Sequence, residues 1–118
     1  MSDIVKIAID AMGGDGSPKK IIDGILHHHK NDKETLIDTD EKVHGTDSPL
    51  GAAKRGKKTS MWLAIESVKN KNADIVISAG NTGALLVISK LNLKMIDNID
   101  KPALSALWPN KKNMSVVL

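Results

Sequence analysis

Ile75-Val76-Ile77-Ser78-Ala79-Gly80-Asn81-Thr82-Gly83-Ala84 is the stretch on which the fold turns. A short apolar strand runs into a glycine-flanked polar corner and then into a helical pattern. Small residues at such a corner let the backbone approach a ligand, and Asn81 and Thr82 place hydrogen-bonding groups beside it. The chain opens on a corner of the same kind: Val5-Lys6-Ile7-Ala8-Ile9-Asp10 leads into Ala11-Met12-Gly13-Gly14-Asp15-Gly16. Two strand-to-glycine corners point to an α/β enzyme whose site lies at the carboxyl ends of its strands.

The elements between and beyond the corners follow from periodicity. Ile7-Ala8-Ile9 reads as a buried strand of parallel type, because its centre is uniformly apolar. Ser17 is placed to cap a helix with Pro18 as its first residue, and Ile21, Ile22, Ile25 and Leu26 share one face as far as about Lys30. From Asn31 to Gly45 the pattern weakens. A βαβ chain would carry its second strand there, and no convincing one is present. Asp47-Ser48-Pro49 restarts a helix through Ala53, and Ser60 is placed to cap the next, with Met61, Ile65 and Val68 on one face. A strand is expected over Asp74 to Ser78. The helix that follows is apolar around most of its surface from Ala84 to Leu91 and calls for cover on more than one side. Lys101-Pro102-Ala103-Leu104 closes a loop, and Ser115-Val116-Val117-Leu118 reads as another strand. The sequence stops inside it, which suggests truncation.

Composition narrows the chemistry. The 118 residues leave room for one small domain, and 41% of them are hydrophobic. There is no Phe or Tyr, and Trp62 and Trp108 are the only aromatics, so stacking on nucleic-acid bases is poorly supplied. A formal charge of +3 is a mild bias toward anionic partners. The absence of Cys removes disulfides, thiolate nucleophiles and cysteine metal sites. Met1-Ser2-Asp3 and the run after it lack the features of a signal peptide, and no apolar run is longer than that from Ala84 to Ile88, so a cytoplasmic protein is expected.

Candidate site residues cluster at the two corners and at one basic run. Asp10 and Asp15 either orient a Lys or Arg, hold a proton or bind a metal through water, or simply accept from turn amides. Gly13 and Gly14 make the tight turn between them. Ser78, Asn81 and Thr82 either position a carbonyl or phosphate beside the amides of Gly80 and Gly83, or satisfy a helix start. Neither corner has Walker or dinucleotide-fingerprint spacing. Lys54, Arg55, Lys57 and Lys58 form a solvated face or, standing just before Thr59-Ser60 and a helix start, an anion site that includes Ser60. His27, His28 and His29 are consecutive on a helix and cannot converge on one metal. No metal and no cofactor is expected.

In four blocks the sequence resembles the PlsX phosphate acyltransferase family of bacterial phospholipid synthesis. The blocks are Ile9-Asp10-Ala11-Met12-Gly13-Gly14-Asp15, Asp47-Ser48-Pro49 with Lys54 to Met61, Ala73-Asp74 with Ser78 to Leu85, and Asn98 to Leu104. Gly16 stands where the family commonly has His. The stretch from Lys30 to about Val43 is shorter than the family pattern, and nothing follows Leu118. The chain thus resembles an N-terminal portion with an internal deletion: one partial α/β acyltransferase domain over 1–118. The resemblance implies a three-layer α/β sandwich with a mostly parallel sheet, similar to phosphate acetyltransferase and isocitrate dehydrogenase folds.

Its implied activity is transfer of a fatty acyl group from acyl carrier protein to inorganic phosphate, giving acyl phosphate for glycerol 3-phosphate acylation. It also implies a homodimer when full-length, peripheral association with the inner membrane face or a glycerol-3-phosphate acyltransferase, and no nucleic-acid partner. Asp10, Asp15, Lys57, Lys58, Asn81 and Thr82 are then the expected catalytic set. Gly13, Gly14, Ser60, Ser78, Gly80 and Gly83 are expected around phosphate. The alternatives are a phosphotransacetylase-like enzyme acting on coenzyme A thioesters, and an inactive remnant or accessory binding module.

Overall fold

The computed structural model describes residues 4–28 and 35–118. The expectations for Met1 to Asp3, for His29 and Lys30, and for the start of the weakly patterned segment lie outside the described residues. Eight elements follow in order: β1 (Ile7–Asp10), α1 (Lys19–His28), α2 (Pro49–Arg55), α3 (Ser60–Lys69), β2 (Ile75–Ser78), α4 (Thr82–Asn92), β3 (Ala106–Pro109) and β4 (Met114–Val117).

β1 and β2 pair in parallel, with Ile7 opposite Ile75 and Asp10 opposite Ser78. Asp74 reinforces the start of the pair: its amide donates to Lys6 O at 2.8 Å and its carboxylate accepts from Lys6 N at 2.8 Å. A parallel pair needs a crossover on one face, and α3 supplies the helix that packs on both strands. α4 packs against α3 and α2. The core lies among these helices and consists of Val43, Ala52, Met61, Trp62, Ile65, Ala84 and Ile88.

Caps explain where the helices begin. Ser48 accepts from Gly51 N and starts α2, Thr59 accepts from Trp62 N and starts α3, and Asn81 accepts from Ala84 N and starts α4. Thr59, completely buried, therefore takes the role expected of Ser60, which becomes the first helical residue. Ser17 does not cap α1 either. Its hydroxyl is used inside the first glycine corner, at 2.7 Å from Met12 O and 2.8 Å from Gly14 O.

The first strand is parallel as expected but is not buried on both faces. Ala8 and Val76 are half-buried on the α3 side, whereas Ile7, Ile9, Ile75 and Ile77 stand 37–49% exposed on the other. The register places these four isoleucines side by side as one open apolar face. No named strand lies between β1 and β2 among the described residues. Instead the 39–41 segment runs beside the start of α3, with a parallel bridge between Glu41 and Thr59 and a bond from Ser60 N to Glu41 O at 2.9 Å.

The expected last strand forms as β4, but its partner is β3, a segment just past the Lys101 to Leu104 loop end to which the sequence pattern assigned no element. The two make an antiparallel hairpin with Trp108 opposite Ser115, exposed over its whole length. Asn110 builds the turn by accepting from the amides of Lys112 and Asn113 at 2.9 and 2.8 Å. Trp62 is a core residue, whereas Trp108 is 66% exposed. The whole chain exposes 9511 Å², against roughly 6,200 Å² for a compact monomer of its mass. The architecture is thus an incomplete α/β fold, with a small parallel sheet covered on one side. No helix among the described residues is long and apolar enough to cross a membrane.

Candidate functional site

The two glycine corners meet at the carboxyl ends of β1 and β2. Asp10 is 2% exposed, and its carboxylate accepts from Met12 N at 3.2 Å and from the Ser78 hydroxyl at 2.8 Å. The Ser78 oxygen in turn accepts from Gly80 N at 3.1 Å. One chain of hydrogen bonds thereby ties the first corner to the second. Gly13 lies inside this contact, where a Cβ would come within 2.8 Å of both Asp10 Oδ2 and Gly80 N. Gly14 has φ of +86° and faces Ala79 O. Glycine is required at the first for space and at the second for conformation.

Beside the joined corners opens a cleft of about 550 Å³. One wall is Met12, Gly14 and Asp15, a second is Ala79 to Gly83 at the start of α4, and a third is Lys42 to Gly45. Thr82 and Gly83 open α4, where first-turn amides have no intrahelical acceptor and the helix dipole favours negative charge. Gly83 also allows α2 to close on α4, since a Cβ there would lie 2.7 Å from Pro49 Cγ. A neighbouring hollow of about 360 Å³ is lined by Met12, Asp40, Glu41, Lys42, His44 and Arg55.

Asp15, Gly14, Gly80, Asn81, Thr82 and Gly83 come together around the cleft. Asp10, Gly13 and Ser78 lie behind it as the joint between the corners. The Gly80 amide is already engaged with Ser78, and the Asn81 side chain bonds backbone groups on both sides. Lys57 and Lys58 are exposed and line neither hollow. Ser60 lines neither, and its hydroxyl is buried with no hydrogen-bond partner. Among the described residues, the basic side chains at the cleft are Lys42 and the His44 imidazole, with Arg55 at the adjoining hollow. Sequence reasoning passed over both because His44 stands alone in a weakly patterned segment. The one available signal was their position just before the Asp47-Ser48-Pro49 helix start.

Asp47 organises this third wall. Its carboxylate accepts from His44 N at 2.7 Å and pairs with the Arg55 guanidinium. The His44 amide bond is the main cause that holds the Asp47 carboxyl below its ordinary value of 3.8; desolvation opposes it, and the Arg55 guanidinium adds further lowering through its hydrogen bond and its charge. A carboxyl lowered in the folded state supports the fold above its unfolded pKa, and that support is lost as pH falls through the folded value. Carboxyl-carbon NMR should therefore give Asp47 a midpoint below 3.8. In Arg55→Gln the midpoint should rise only part of the way back, because the larger cause is the backbone amide. A midpoint at or above 3.8 in the native chain would contradict this arrangement.

Comparison with known proteins agrees with the glycine corners. A family model described as fatty acid synthesis protein matches residues 25–118. A phosphate acyltransferase of Pelagibacter ubique is 66% identical over 142 residues, covering all of this chain and 43% of that protein. Phosphate acyltransferases of Bradyrhizobium diazoefficiens and of Rhodopseudomonas palustris strain BisA53 are each 39% identical, covering 97% and 100% of this chain and 40% and 42% of their own lengths. The chain thus spans less than half the length of these relatives. The Pelagibacter alignment of 142 positions against 118 residues leaves at least 24 without a counterpart here. That shortfall is long enough to hold a strand and a short helix, in keeping with the absence of a named strand between β1 and β2 among the described residues. With its two glycine corners and a match to part of the phosphate acyltransferases along its own whole length, the chain belongs to the fatty acid synthesis protein family and corresponds to the N-terminal part of its members.

Proposed function

We propose that this chain carries the phosphate-binding corner of an acyltransferase that moves a fatty acyl group from acyl carrier protein to inorganic phosphate. The observation that carries the reading is the cleft at the start of α4, where glycine-rich backbone, Thr82, Lys42 and His44 converge. Phosphate there would meet the first-turn amides of Thr82 and Gly83, the Lys42 ammonium and the hydrogen-bonding His44 imidazole. Asp10 and Ser78 act from behind by fixing one corner against the other. Asp15 at the rim orients donors toward the anion.

The reaction is read as direct, from the anion-favouring corners and a chain that offers no Cys nucleophile of its own. A phosphate oxygen attacks the thioester carbonyl carbon, the carbonyl becomes an oxyanion, and the carbon–sulfur bond breaks to release the carrier thiolate. Catalysis then comes from placement and from charge stabilisation. A trapped acyl-enzyme formed during turnover would sink this scheme. Lys57 and Lys58, exposed and clear of the cleft, are assigned to the acidic carrier protein. Carrier affinity should fall as salt is raised, and a salt-independent affinity would remove that assignment. Full-length members are read as cytoplasmic homodimers that serve phospholipid synthesis and meet the membrane, or the next acyltransferase, peripherally.

The direct test is thermal unfolding of the 118-residue chain followed by far-ultraviolet circular dichroism, with and without phosphate. With a dissociation constant of about 1 mM, 10 mM phosphate adds about 1.4 kcal/mol to stability, and the midpoint should rise. An acyl carrier protein assay with hydroxylamine capture of acyl phosphate then reads the transfer itself. A midpoint that ignores phosphate would remove the reading. The open isoleucine face and the exposed hairpin favour a second one, an inactive or accessory piece; phosphate binding with no acyl phosphate formed would support it. Turnover with acyl-coenzyme A in place of the carrier would favour a phosphotransacetylase-like enzyme.

A further inference from the structure

Asn81 is expected either to position substrate or to satisfy a helix start, and both polar atoms of its side chain are engaged with backbone groups. Oδ1 accepts from Ala84 N at 3.0 Å and starts α4. Nδ2 donates into the 44–47 turn, with acceptors at His44 O (3.3 Å), Gly45 O (3.2 Å) and Asp47 O (2.9 Å). This orientation of the amide satisfies every partner, whereas a flipped amide would set an oxygen against three carbonyls. The turn is also closed on itself by Asp47 N to His44 O at 3.1 Å, and Arg55 holds Asp47 from α2.

We infer that Asn81 is a positioning residue for the anion cleft. Its amide clamps the His44–Asp47 turn to the start of α4 and so sets where Lys42 and His44 stand. This rests on the cleft being the phosphate site. The residues that would meet the anion lie on two segments far apart in sequence, and Asn81 is the side chain that bonds both. A serine at this position can still cap α4 through its hydroxyl but cannot reach across to three carbonyls. Asn81→Ser therefore separates the helix cap from the clamp.

The test is NMR on the 118-residue chain, combining amide exchange with a titration by inorganic phosphate. In the native chain, the Asp47 and Ala84 amides should be protected, and phosphate should move His44 and Lys42 resonances together with those of Thr82 and Gly83. Asn81→Ser should keep Ala84 protected and release Asp47. Phosphate affinity should weaken tenfold or more, and His44 should leave the set of responding resonances. Retained Asp47 protection with an unchanged His44 response in Asn81→Ser would overturn the proposal. A second measurement needs no variant: side-chain amide protons of Asn81 exchanging at free-solvent rates in the native chain would overturn it even if the serine variant failed to fold. If native resonances ignore phosphate while Asn81→Ser still frees the turn, the phosphate reading fails and the clamp stands.

Discussion

Gly13→Ala should lower the thermal midpoint of this chain by roughly 10 °C or more and abolish any stabilisation by phosphate. The added methyl would be 2.8 Å from Asp10 Oδ2, 2.8 Å from Gly80 N and 2.9 Å from Ser78 Oγ, all inside the hydrogen-bonded joint. One of these is backbone and the other two are ends of short side chains bonded to each other, so the methyl can be accommodated only by breaking that bond or parting the corners. Overpacking of this kind costs about 1–3 kcal/mol, and loss of the buried Ser78–Asp10 bond costs a comparable amount. At several degrees per kcal/mol for a domain of this size, the shift is large against a total stability of about 5–15 kcal/mol. Gly24→Ala is the matched control. Nothing lies within 4 Å of a Cβ there, and alanine in a helix should be neutral or stabilising by up to about 1 kcal/mol. Equal midpoints for Gly13→Ala and the native chain would mean that the corners do not touch.

Ile65→Ala should be the most damaging core truncation, costing roughly 2–5 kcal/mol. Ile65 is completely buried on α3, the helix that packs on β1, β2 and α4 alike. With so small a core, no second layer can relax into the cavity. Ile22→Ala, on the partly exposed face of α1, should cost well under half as much, since Ile22 is already 39% exposed. Urea titration of the three proteins checks the ranking through their midpoints. Similar midpoints for the two variants would show that the core does not centre on α3.

Much of the local structure was legible in residue order. Asn81 before an apolar run, Ser48 before Pro49, and the triplet Ile75-Val76-Ile77 each specify a cap or a strand through contacts within a few residues. Ser17 and Ser60 show the limit of that logic. Both are sound caps by type, but Ser17 is drawn into the glycine corner and Thr59 reaches Trp62 N first. β3 was missed because Ala106 to Pro109 has little strand signal until β4 folds back on it. The cleft divides in the same way. Its glycine walls were visible as motifs, whereas Lys42 and His44 carry no motif and gain meaning only from the turn that Asn81 and Asp47 hold.

By itself, then, the sequence determined the two strand-to-glycine corners, the helices between them and the family to which they belong, because those features rest on short-range periodicity and residue type. Tertiary structure alone decided three other things. The sheet is covered on one face only, because α3 is the helix that packs on it. The two corners are joined through Asp10 and Ser78, because parallel register brings their strand ends level. Lys42 and His44 line the cleft beside the start of α4, next to a turn that the Asn81 amide bonds from more than thirty residues away in sequence, while Lys57 and Lys58 line neither hollow.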